Sequence, residues 1–159
     1  MAHSISNLAG VNIAETSADA KFALGTRVEL NDGGVAVYVK SSTSAVSQFA
    51  AVAINADGTV DMLTTTNAAT TPRIGFAQVS IATGYYGWVH TDGVVKVNLA
   101  ANCDDNVPLF TTATAGVLDD ATVSAGYVMG LINTVTISNA TAVTCVGQFP
   151  HVGRYGGGA

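Results

Sequence analysis

The chain reads as an all-β protein, mainly antiparallel hairpins in a compact β-barrel or sandwich, with an extended N-terminal arm and at most one or two short helices. Three observations predict this. Apolar and polar residues alternate at period two over much of the chain, and Asp-Gly pairs stand between such runs at Asp32-Gly33, Asp57-Gly58 and Asp92-Gly93. Val and Thr, whose branched side chains favour extended backbone, are abundant throughout.

Taken in order, residues 1–21 form the arm, residues 22–152 a single β-rich domain and residues 153–159 a Gly-rich tail. Apolar residues in the arm are sparse (Ile5, Leu8, Val11, Ile13), so the segment has little to fold around and should be disordered or lie extended along a partner. In the domain, Thr26 to Leu30 and Val35 to Lys40 flank Asp32-Gly33. A two-residue loop there sets Leu30 opposite Val35 and Val28 opposite Val37. Ala51 to Ile54 and Thr59 to Leu63 flank Ala56-Asp57-Gly58, which predicts a three-residue loop with Gly58 left-handed, Ile54 facing Val60 and Val52 facing Met62.

The third corner, Asp92-Gly93, is read the same way. A two-residue loop would put Trp88 opposite Val97 and Tyr86 opposite Leu99, making Tyr86 and Trp88 an aromatic sheet core. Further strands are expected at Ile74 to Ile81, Val107 to Phe110, Tyr127 to Ile132, Thr134 to Ile137 and Ala142 to Gln148. Helix is weak: Ala14 to Leu24, Ser44 to Phe49 and a start at Asp119 are the candidates.

Composition excludes several functions. Charged residues are 11% of the 159, against about 25% in typical soluble domains. Six Lys and Arg against eleven Asp and Glu give a net charge of -5, which argues against a nucleic-acid partner. Mean hydropathy is +0.38, yet no run approaches the roughly 20 apolar residues of a membrane span, so no membrane partner is expected. The N-terminus lacks a basic segment followed by an apolar core, so a cytosolic product is expected.

Catalytic raw material is thin. His90 beside Asp92 is the nearest approach to a triad, but no Gly-x-Ser-x-Gly elbow accompanies it, and a histidine hydrogen-bonded at a sheet edge is the expected reading. Asn102, Asp104 and Asn106 imitate the start of an EF-hand loop, and the pattern fails at Val107 and Ala113. Asp104, Asp105, Asp119 and Asp120 are therefore expected to cap turns. Cys103 and Cys145 form no Cys-x-x-Cys motif and read as buried hydrophobes, with a disulfide open only in an oxidising setting. No catalytic residue, metal or cofactor is expected.

Two segments carry a resemblance. Gly84-Tyr85-Tyr86-Gly87-Trp88-Val89-His90 followed by Asp92-Gly93-Val94-Val95-Lys96-Val97, and the run Asn106-Val107-Pro108-Leu109-Phe110-Thr111-Thr112 through Asp120, resemble segments of capsid decoration (cement) proteins of tailed bacteriophages. In pattern, the similarity extends from Val28 to Phe149. It implies a small β-rich, non-enzymatic virion protein, made in the bacterial cytoplasm. Such a protein sits as a homotrimer on the outer surface of the head, its partners being the major capsid protein and its own copies. Ile5, Leu8, Val11 and Ile13 would then be the arm's anchors on capsid or neighbouring protomer. The alternative is a trimeric fibre-tip or receptor-binding module for a host glycan; a small hydrolase or lyase on a barrel is the third reading.

Overall fold

The computed structural model describes residues 11–71, 73–123 and 126–153. Ten strands and one short helix follow in the order β1 (Arg27–Glu29), β2 (Val35–Ser41), β3 (Ala51–Ile54), β4 (Thr59–Met62), α1 (Thr65–Ala68), β5 (Ile74–Ala77), β6 (Tyr86–Leu99), β7 (Leu109–Thr111), β8 (Leu118–Asp119), β9 (Tyr127–Asn133) and β10 (Thr141–Gly153). The protein is all-β with a β-barrel, as the alternation predicts.

The pairings close two rings that share one strand. β2, β4, β3, β5 and β6 form the first, closed by β2–β6, and β6, β10, β9, β7 and β8 form the second, closed by β6–β8. Only β2–β4 and β6–β8 pair in parallel. Closure removes most of the unpaired edge that an open sheet exposes. β1, hydrogen-bonded to β2 alone, stays outside both rings.

Each ring has its own core. Val37, Val39, Val52, Ile54, Val60, Ala77 and Val89 fill the first, one or two from each of its strands. Val95, Val97, Leu99, Leu109, Leu118, Val128, Leu131 and Cys145 fill the second, joined by Ala51, Ala53, Ile74 and Phe76 from the other faces of β3 and β5. Burial on both faces explains why β3 and β5 read as continuous apolar runs rather than as alternating ones.

The second predicted hairpin forms as expected: Val52 pairs with Met62, Ile54 with Val60, and Gly58 has φ +82°. The first closes one residue differently. Val28 pairs with Ala36 and Glu29 with Val35, because the loop holds three residues, Asn31 to Gly33, with Gly33 at φ +83°. Val28 and Leu30 therefore share a face with Ala36 and Tyr38, while Val37 points into the first ring.

Asp92-Gly93 makes no hairpin. β6 runs through it, its first half pairing with β2 and β5 and its second with β10. Gly93 has φ +96°, and the β2 register shifts beside it between Val35 and Ala36. Glycine there supplies a bend within a strand passing from one ring to the next. Trp88 is consequently not opposite Val97, nor Tyr86 opposite Leu99; these aromatic residues belong to a third cluster with Leu30, Ala36 and Tyr38.

Thr134 to Ile137 is not a strand, and Ala14 to Leu24, Ser44 to Phe49 and Asp119 to Thr122 contain no helix. The one helix, α1, begins at a capping box in which Thr64 Oγ1 accepts from the Asn67 N–H and Asn67 Oδ1 accepts from the Thr64 N–H.

Candidate functional site: an exposed aliphatic row and its surroundings

On β10 the side chains alternate strictly about Val146, with Cys145 and Gly147 buried and Thr144, Val146 and Gln148 exposed. Val146 stands directly opposite Val94 of β6 on one side and Ile132 of β9 on the other. These three aliphatic side chains make one row across three adjacent strands, 40, 48 and 53% exposed for Val94, Val146 and Ile132. Thr144 and Lys96 lie to one side of it, Gln148 and Asp92 to the other. The apolar row is thus framed by polar residues. Met129 and Val135 are exposed as well.

Residues 11–26 lie across the sheet. Ser17 bridges Tyr86, and the Lys21 N–H donates to the Tyr38 hydroxyl. Phe22 meets Tyr38 edge-on at 5.3 Å and Trp88 at 5.4 Å. Val11 and Ile13, two of the expected arm anchors, pack against the chain's own aromatic cluster. Ile5 and Leu8, the other two, lie outside the described residues, as does most of the expected Gly-rich tail. Trp88, at 2% exposure, presents no open ring face, and Tyr86 is half-buried beside it. A cavity of about 290 Å³ lies between this segment and the ring, lined by Val11, Asn12, Glu15, Phe22, Tyr38 and Trp88 among others.

The candidate chemical groups are mostly structural. His90 is not at an edge: it lies between Ala36 of β2 and Phe76 of β5, its Nδ1 buried without a hydrogen-bond partner. Desolvation lowers its pKa to about 4, opposed by the nearby Asp32 charge, so it is neutral at pH 7. Asp92 Oδ1 instead accepts from the Gly93 N–H. Asp119 Oδ1 caps locally by accepting from the Asp120 N–H, whereas Asp105 Oδ1 accepts from Thr136 Oγ1 and Asp120 Oδ2 from the Asp104 N–H, bonds that tie separate loops together rather than cap turns.

The structure also assembles a group that spacing did not show: ligand atoms of Cys103, Asp119 and Asp120 lie within 4.8 Å of one another. A thiolate and two carboxylates suit a divalent metal, with the soft sulfur favouring zinc. Burial, and then the two aspartate charges, push the Cys103 thiol up to about 11, so it is a protonated thiol at neutral pH. Burial pushes Cys145 up to about 12, and both cysteines are free.

The chain matches no protein-family model and no curated protein.

Proposed function

We propose that this is a structural virion protein, a decoration or cement protein that binds the outside of a tailed-phage head and stabilises the expanded lattice of the major capsid protein. The observation that carries the reading is the row Val94, Val146 and Ile132, aliphatic and open to solvent across the paired strands β6, β10 and β9. Such a row gains only by being covered; at about 25 cal/mol per Å² of apolar area, burial in an assembly supplies the affinity. The row is read as the contact between copies of the chain, with the trimer as the assembly. Ile5 and Leu8 are read as anchors toward the capsid.

The strand that carries the first of the two resembling segments also borders the second, since Leu99 of β6, two residues past that segment, pairs with Leu118 of β8. A ligand that binds only the expanded lattice stabilises it by mass action, without chemistry. Nothing in this role requires a titrating side chain. Recognition of a host glycan by a fibre-tip module calls for an open aromatic platform, and Phe22 and residues 11–21 cover Trp88 and Tyr38.

Cosedimentation with expanded heads lacking decoration tests the reading. Saturable binding, with heads that survive higher temperature, supports it. Failure to bind heads together with saturable binding on a glycan array replaces it with the fibre-tip reading.

A further inference from the structure

The described residues contain five Lys and Arg side chains, and two of them, Arg27 and Arg73, line one small cavity with His151 and Thr91. The cavity measures about 130 Å³, room for roughly four water volumes at about 30 Å³ each. No Asp or Glu lines it. Arg27, Arg73 and His151 are all exposed, and none of them pairs with a carboxylate among the described residues. The only ion pair among described residues is Lys21 with Glu15.

Three features shape the cavity. Thr91, nine-tenths buried, lines it, its unpartnered hydroxyl oxygen closed off from solvent. The wall opposite β1 comes from a break in the β10 register between Gly147 and His151. There Phe149 takes φ +43°, a left-handed conformation costly for an aromatic residue, and Pro150 follows it. The strained Phe149 lies with its ring 5.5 Å from the Arg27 guanidinium carbon. A cation–π contact of this kind leaves the guanidinium N–H groups able to donate. The backbones of Arg73 and His151 are held together by a bridge.

We propose that this cavity binds a single oxyanionic group, phosphate or carboxylate, held by Arg27 and Arg73, with His151 completing the site. Planar, forked N–H donors match both anions in bidentate geometry. The site is independent of the capsid reading: it needs only the folded chain. A free phosphate and a carboxylate presented by another molecule would use the same donors.

Amide NMR titration of the full chain with sodium phosphate and, separately, sodium acetate at constant ionic strength tests the proposal. The expected result is saturable shifts at Arg27, Arg73, Thr91 and His151 for at least one anion. Arg27→Gln with Arg73→Gln should weaken that binding at least tenfold while the remaining spectrum is unchanged. Tighter binding of phosphate marks a free-anion site, tighter binding of acetate a carboxylate site. Absence of saturable shifts with both anions, or equal binding by the double variant, overturns the proposal.

Discussion

Gly93 of β6 packs so closely against Gly34 that a Cβ on Gly93 would lie 2.7 Å from the Gly34 Cα. This contact lies where β6 leaves the first ring for the second, and φ +96° at Gly93 excludes an easy substitute. Gly93→Ala is expected to cost about 2–4 kcal/mol, combining backbone strain with a clash against main chain. Gly84→Ala is the control. Gly84 also has positive φ, but a Cβ there meets nothing within 4 Å, so about 1 kcal/mol is expected. Urea midpoints of the two variants check the difference.

His90 predicts a pH dependence. Burial lowers its pKa from 6.5 to about 4, so the unfolded chain takes up the proton first as pH falls. Its contribution is complete above pH 6.5 and is lost progressively toward pH 4. The loss amounts to about 3 kcal/mol. Asp119, whose pKa burial raises, works in the opposite sense over the carboxylate range. Urea unfolding of the wild type between pH 7 and 4 should show the fall, and His90→Gln should flatten it.

Asn133 holds the loop after β9. Its Nδ2 donates to the carbonyls of Asp104 and Val135, and its Oδ1 accepts from the Val135 N–H. The residue is fully buried. Asn133→Leu leaves these groups without their partner and is expected to cost about 2–4 kcal/mol, read as a drop in Tm.

Removal of the N-terminal segment should have two stages. Truncation of residues 1–10 should weaken attachment to heads, through loss of Ile5 and Leu8. Truncation of residues 1–21 also strips Val11, Ile13 and the Lys21 bond from the Tyr38–Trp88 cluster. It is expected to destabilise the domain by about 3 kcal/mol, so the core does not survive that cut unaffected. Thermal unfolding of both truncations separates the stages.

Local patterns revealed local structure and little beyond it. The hairpin at Gly58 was legible to the residue, because loop length and glycine position follow from backbone geometry. The same logic failed at Asp92-Gly93, where a positive-φ glycine serves equally well as a bend inside one strand. What decides between turn and bend is the partner strand, and β10 lies far along the chain. The aliphatic row was hidden for the same reason: Val94, Val146 and Ile132 look like ordinary strand residues until β6, β10 and β9 are placed side by side. Cys103 and Asp119 meet only through the second ring. Helix α1 escaped because Thr65 and Thr66 favour strands; its signal was the capping pair Thr64 and Asn67.

The central claim is that the aliphatic row joins copies of the chain. Light scattering on the purified wild type and on Val146→Asp with Ile132→Asp tests it most directly. Both sites are about half exposed, so the variant should still fold, with its thermal stability lowered by the loss of assembly and by two like charges facing each other across β9 and β10. The account predicts a trimer for the wild type and a folded monomer for the variant; a monomeric wild type, or a variant that still forms the trimer, would contradict it.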